Sequence, residues 1–174
     1  MMSKDKLVFI TVGTTEFSGL IKIVISNEQF ISNLKSLGYR RVIVQVGRGE
    51  LVPDDEIVKT YASYGITFDW YRFKPTLLDD FQAADLIISH AGAGTVLEVL
   101  RLQNKKLIIC VNNSLQENHQ CELADALSEK KYCLATVPES LCETLIESKH
   151  AFTALVPFPS VNHDLFPNYL DQML

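Results

Sequence analysis

Apolar runs of strand length alternate with segments of helical periodicity along the whole chain, and this alternation restricts the fold more than any other feature. "KLVFITVG" (6–13) is nearly unbroken apolar sequence ending in glycine, as a strand buried on both faces requires. From Leu20 to Leu37, apolar side chains recur at helical spacing (Leu20, Ile23, Val24, Phe30, Ile31, Leu34, Leu37), and Gly38 stops that helix. "RRVIVQVG" (40–47), "GITFDWYRF" (65–73), "DLIIS" (85–89), "KLIICVN" (106–112) and "YCLATV" (132–137) read as further strands. Helices are expected over 76–83, 95–103 and 117–130, and over "PESLCETLIESK", where proline occupies the first turn. Residues 48–64, around the polar "PDDE", fit either a loop or a helix.

Repeated strand–helix units imply an α/β fold: a mostly parallel sheet with helices on both faces. Such sheets bind ligands outside the carboxyl ends of their strands. Most of the glycine-rich and polar sequence falls there, in "GTTEF", "GRGE", "RFKPT", "SHAGAGT" and "NNSLQENHQ". Residues 1–150 are assigned to this domain. Residues 151–174, with three of the six prolines, are assigned to an extended arm ending in a short apolar helix. That arm, with Leu165, Phe166, Tyr169 and Leu170 on one face, can pack on its own domain or dock on a partner.

Bulk properties narrow the function. With 16 Lys and Arg against 21 Asp and Glu, the net charge of -5 argues against a general nucleic-acid surface and against adhesion to anionic lipid. No stretch reaches the ~20 consecutive apolar residues of a membrane span. Cys110, Cys121, Cys133 and Cys142 form no C-x-x-C pair and read as free thiols of a cytosolic protein, Cys110 and Cys133 in apolar strand-like runs. No His/Cys cluster has zinc spacing, D-x-D is absent, and so is a G-x-S-x-G elbow; the pairs Asp54–Asp55 and Asp79–Asp80 read as solvated or capping.

"HAGAGT" carries the strongest chemical signal. Gly92 and Gly94 let main-chain N–H groups approach a ligand, and a helix starting near Thr95 offers free donors and a partial positive charge to a phosphate. The dinucleotide pattern G-x-G-x-x-G fails, because Leu97 stands at the third glycine. By spacing alone the segment fits a purely structural turn as well. Glu98, placed in the first turn of that helix, can accept from a ribose diol or complement the helix dipole. Gly13 and Thr14 offer a second anion nest, or an N-cap for the next helix. Asn118, His119 and Gln120 suit sugar hydroxyls.

"FITVGTTEFSGLI", "SHAGAGTVLEVL" and "NHQCELADAL", in that order within residues 7–135, resemble the catalytic subunits of the UDP-N-acetylglucosamine transferase of asparagine-linked glycosylation. Those subunits are similar to the C-terminal half of the bacterial peptidoglycan enzyme MurG. The resemblance implies a Rossmann-like domain, the donor half of a GT-B glycosyltransferase split over two chains. It implies inverting transfer of GlcNAc from UDP-GlcNAc to GlcNAc-diphosphate-dolichol, without a metal or other cofactor. A membrane-anchored partner would supply the acceptor half, and the proposed base, at the cytosolic face of the endoplasmic reticulum. By motif position, Gly13, Thr14, Ala93, Gly94 and Thr95 would face the diphosphate and Glu98 the ribose. Phe73 and Lys74 would border the uracil, and His119 and Gln120 the GlcNAc hydroxyls. His90 stands where the bacterial pattern has arginine and is placed near the donor. Two other readings stay open from spacing: a nucleotide-binding oxidoreductase-like domain using Glu50 after the second strand, and a non-catalytic interaction subunit.

Overall fold

A computed structural model describes residues 5–112 and 118–159, the first three residues after the gap by their backbone alone. Its elements alternate as the apolar runs require: β1 (Lys6–Thr11), α1 (Ser18–Ser26), α2 (Glu28–Ser36), β2 (Tyr39–Gln45), α3 (Asp55–Ser63), β3 (Thr67–Tyr71), α4 (Leu78–Ala83), β4 (Leu86–His90), α5 (Ala93–Arg101), β5 (Lys106–Cys110), α6 (Asn118–Glu129), β6 (Leu134–Thr136) and α7 (Leu141–Ala151). The six strands form one sheet in the order β3-β2-β1-β4-β5-β6, and every pairing is parallel. Among the described residues the sheet is wholly parallel, within the mostly parallel fold expected.

Each strand divides its side chains between two cores. Val8, Ile10 and Val12 pack with Leu20, Val24, Phe30, Tyr61 and Leu141, so α1, α2, α3 and α7 cover one face. Leu7 and Phe9 pack with Phe81, Val96, Val99 and Ala124 under α4, α5 and α6 on the other. A strand buried on both faces cannot alternate apolar with polar, which is why these runs are continuous.

Two local expectations need correction, and one open choice is decided. The expected helix from Leu20 to Leu37 is two helices. Asn27, in extended conformation (φ -105°, ψ 101°), ends α1 and caps α2, its side-chain oxygen accepting from Phe30 N–H at 3.1 Å. Both helices bury apolar residues in the same core, so the periodicity runs through the break. Residues 55–63 are helical, with Asp54 accepting from Ile57 N–H at 3.0 Å. The segment from Pro138 begins as a 3-10 turn, and α7 starts at Leu141. Gly38, at φ +84°, ends α2 as expected.

Tyr61 anchors α3. It is fully buried, meets the Phe68 ring at a tilt (4.4 Å between ring centroids), and donates its hydroxyl to the Val24 carbonyl of α1 at 2.7 Å. Tyr61→Phe leaves that carbonyl without its buried partner, so an unfolding free energy lower by about 1–2 kcal/mol is expected in urea titrations.

The first part of the arm packs on its own domain. Val156 N–H donates to Lys131 O at 2.8 Å, and Phe158 meets the Tyr132 ring edge-on at 5.1 Å. The expected docking helix at Leu165, Phe166, Tyr169 and Leu170 lies outside the described residues. Cys110 and Cys133 are buried, and burial pushes both thiols up to about 12; Cys121 and Cys142 are half-buried, and all four are free. Among the described residues no helix is long and apolar enough to cross a membrane.

Candidate functional site

The strand order reverses between β1 and β4: β2 and β3 lie to one side, β5 and β6 to the other. Loops leaving the carboxyl ends of β1 and β4 diverge at such a point and leave a crevice. A cleft of about 420 Å³ opens there. It brings together Gly13 and Thr14 after β1, Phe73 and Lys74 after β3, and His90, Ala93, Gly94, Thr95 and Glu98 from the β4–α5 unit. These are nine of the eleven candidates. His119 and Gln120 belong to the first turn of α6, and their side chains lie outside the described residues.

Helix α5 begins at Ala93, two residues earlier than expected, with Gly92 in extended conformation at its N-cap. The first helical bond runs from Val96 N–H to Gly92 O at 3.0 Å. The N–H groups of Ala93, Gly94 and Thr95 thus precede the helical ladder and are available to a ligand in the cleft. Gly94 has no neighbour within 4 Å of a Cβ built on it, so the helix start is open. Glu98 consequently sits in the second turn, not the first. The helix-dipole role weakens there, because the effect fades within the first turn. Glu98 is exposed and makes no hydrogen bond or ion pair with another described residue.

The β1 turn is built differently from an N-cap. Helix α1 begins only at Ser18, after Phe17, with no side-chain cap. The Gly13 N–H is already bonded to Thr11 Oγ1 at 3.0 Å, and Thr15 Oγ1 donates to Val12 O at 2.9 Å. Of the two expected nest residues, Thr14 keeps its donors for a ligand, while Gly13 supplies shape.

His90 explains the glycines. Its imidazole lies between Gly13 and Gly92. A Cβ at Gly13 would stand 2.4 Å from Cε1, and one at Gly92 2.2 Å from Nε2. The residue is 7% exposed and its Nδ1 is buried without a hydrogen-bond partner. Burial lowers its pKa, opposed in part by the Thr11 main chain. The folded-state pKa therefore lies below the unfolded value of about 6.5. Below that pH the unfolded chain takes up a proton that the native state resists, so stability is full above about pH 6.5 and declines as the pH falls. His90→Gln is expected to flatten this decline between pH 7 and pH 5, read from urea midpoints of variant and wild type; equal slopes would exclude His90 as its source.

Lys74 lines the cleft but is not a free cation. Its ammonium contacts both Asp80 oxygens (2.8 and 2.9 Å) and lies over the Tyr71 ring, 4.2 Å from the centroid. Asp80 is buried and also accepts from Tyr71 Oη at 2.6 Å. The Asp79–Asp80 pair, expected to be solvated or capping, thus divides: Asp79 is exposed and Asp80 braces the β3–α4 loop. Phe73, in that loop, is 51% exposed at the cleft. With Lys74 paired, the α5 start offers positive potential toward a diphosphate.

Residues 7–163 match the glycosyltransferase family 28 C-terminal domain. The chain belongs to that family. Two relatives are UDP-N-acetylglucosamine transferase subunits ALG13. The Saccharomyces cerevisiae protein is 33% identical over 199 residues, covering 96% of this chain and 95% of its own length. The Homo sapiens protein is 44% identical over 135 residues, covering 76% of this chain and 11% of its own. The chain spans only 11% and 12% of the human and mouse relatives. A solution structure of ALG13 superposes with a TM-score of 0.66 at 28% identity, covering 95% of each chain. MurG of Acinetobacter baumannii gives 0.65 at 20% identity over all of this chain and 51% of its own, a likeness of fold.

The family 28 fold is that of the C-terminal, Rossmann-like domain of GT-B glycosyltransferases, as expected. The oxidoreductase reading loses its acidic residue: β2 ends at Gln45, whose side chain is engaged by protein, and Glu50 does not line the cleft. Sequence reasoning missed Thr11, Gln45 and Asp80. Polar residues inside or beside apolar runs were the available signal, and their partners are distant in sequence.

Proposed function

We propose that this chain is the donor-binding catalytic subunit of a two-chain inverting glycosyltransferase, taking GlcNAc from UDP-GlcNAc to GlcNAc-diphosphate-dolichol in a β-1,4 linkage. One observation carries the reading. A single cleft joins a helix start with three available N–H groups, an exposed carboxylate one turn further along, and an exposed aromatic ring on the facing loop. Diphosphate, ribose and base have these three chemistries in this order. The relatives, UDP-N-acetylglucosamine transferase subunits, support the UDP-GlcNAc donor and a subunit organisation.

Inverting transfer needs a base for the acceptor hydroxyl and stabilisation of the departing UDP. This chain supplies the second. Ala93, Gly94 and Thr95 at the α5 start, with Thr14 opposite, receive the charge that develops on the diphosphate. His90, kept neutral by burial, adds no cation to that site. His119 and Gln120 hold the GlcNAc hydroxyls. The reading calls for no metal, because main-chain donors meet the charge of the departing diphosphate. A membrane-anchored acceptor-binding subunit supplies the base and recruits this cytoplasmic chain to the cytosolic face of the endoplasmic reticulum. Nucleic acid is no partner.

Titration of the purified chain with UDP-GlcNAc and with NADH, followed by amide chemical shifts, tests the donor site. Shifts at residues 13–14 and 93–98 with UDP-GlcNAc alone are expected; a response to NADH alone would overturn the reading. Copurification from cells of one membrane protein, and GlcNAc transfer by the pair but little by this chain, tests the two-chain arrangement. Robust transfer by this chain alone would refute it.

A further inference from the structure

The loops leaving β1 and β3 are joined by one buried side chain. Gln45, the last residue of β2, lines the cleft but is only 2% exposed, and both ends of its carboxamide are engaged by protein. Oε1 accepts from Thr11 Oγ1 at 2.6 Å. Nε2 donates to the carbonyl of Gly13 at 2.7 Å and to that of Arg72 at 2.6 Å. The Thr11 hydroxyl in turn accepts the Gly13 N–H. Two carbonyls face the nitrogen and a hydroxyl faces the oxygen, so the partners leave one orientation for the amide.

Two of these bonds end on main-chain carbonyls, so they fix where backbone runs. Gly13 belongs to the turn facing the α5 helix start. Arg72 immediately precedes Phe73 in the opposite wall. The Arg72 guanidinium extends the brace, donating to Gly47 O (3.1 Å) and Gly49 O (2.9 Å), and Arg48 N–H donates to Thr15 O (3.2 Å). Val44 and Val46 on either side point into the core of the opposite face, while Gln45 lies at the cleft. A buried carboxamide costs stability unless every partner is in place.

We infer that Gln45 is a positioning residue that holds the diphosphate turn and the base loop at a fixed separation, so that one nucleotide spans both. This rests on the donor-site reading above. A linked ligand gains from two half-sites only when their spacing fits the linker.

The test is titration of the full chain, wild type and Gln45→Met, with UDP, with uridine and with inorganic diphosphate, followed by amide chemical shifts. Methionine has similar length and removes all three bonds. The expected result is UDP binding weakened roughly tenfold while uridine and inorganic diphosphate each change less than about threefold, because the half-sites persist and their register is lost. Equal weakening of all three ligands would show a packing role and overturn the inference, as would unchanged UDP binding. A wild-type chain that ignores UDP would overturn the nucleotide reading itself, and the inference with it. If Gln45→Met does not fold, Thr11→Val loosens the same brace with a residue of the same shape, removing the hydroxyl that links Gln45 Oε1 to the Gly13 N–H. It should weaken UDP several-fold and leave uridine unchanged; a matching loss of uridine would overturn the inference.

Discussion

Glu98→Ala is expected to lower kcat/KM for UDP-GlcNAc by about 100-fold in the reconstituted two-chain enzyme, with the melting temperature of this chain nearly unchanged. The two halves of this expectation have separate causes. Glu98 is exposed and bonds no described residue, so its truncation removes no native contact. It stands in the second turn of α5, and no acidic residue occupies the first turn, so helix-dipole stabilisation is small as well. Its place in the cleft, beyond the donors of Ala93, Gly94 and Thr95, is where a ribose falls when the diphosphate sits on the helix start. A carboxylate accepting from both hydroxyls makes two charge-assisted bonds, each contributing roughly 1.5–3 kcal/mol, and about 3 kcal/mol after water takes their place corresponds to a factor near 100. Glu98→Gln keeps one good acceptor and should lose nearer tenfold. The decisive comparison uses 2′-deoxy-UDP: wild type discriminates against it, and Glu98→Ala does not. Undiminished discrimination by Glu98→Ala would remove the ribose role.

The sheet and its two helical layers were legible because burial on both faces leaves a strand no polar positions, and "KLVFIT", "LIIS" and "KLIIC" have almost none. The Asn27 break was not legible, because α1 and α2 face the same core and the apolar period continues across it. Residues 55–63 were ambiguous by periodicity; the cap at Asp54 and the Tyr61 hydroxyl bond settle them, and that bond joins residues 37 apart.

The cleft was legible where main chain does the work: glycines and a helix start announce themselves by spacing. It was not legible where side chains act on distant backbone. Gln45 reads as one polar residue near the end of an apolar strand until its partners, 34, 32 and 27 residues away, are in view. Asp80 looks like its neighbour Asp79 until Lys74 and Tyr71 close over it. Lys74, assigned to the border of the uracil, lines the cleft while that carboxylate holds its ammonium. The two side chains of α6 assigned to the sugar, His119 and Gln120, lie outside the described residues, and their assignment rests on the motif.

Gly92→Ala is the second large effect, and its origin can be isolated. Gly92 has ordinary extended backbone (φ -76°, ψ 119°), so alanine meets no torsional strain there. The cost is steric alone, since the new Cβ would stand 2.2 Å from His90 Nε2 and the ring, wedged against Gly13, has no room to retreat. A loss of roughly 2–3 kcal/mol is expected for such overpacking, together with loss of UDP-GlcNAc binding as the α5 start is displaced. His90→Ala opens the space. In the double variant Gly92→Ala/His90→Ala, the two costs should fall short of their sum by on the order of 1–2 kcal/mol, as contacting residues do. Gly13→Ala gives the control. Its Cβ meets the same ring at 2.4 Å, but Gly13 also lies at φ +64°, where a side chain is strained whatever the space. His90→Ala should therefore rescue Gly92→Ala more fully than Gly13→Ala, read from urea midpoints of the five variants. Equal rescue at both positions would mean that backbone strain at Gly13 is negligible. No rescue at Gly92 would mean that the imidazole is not what requires glycine there.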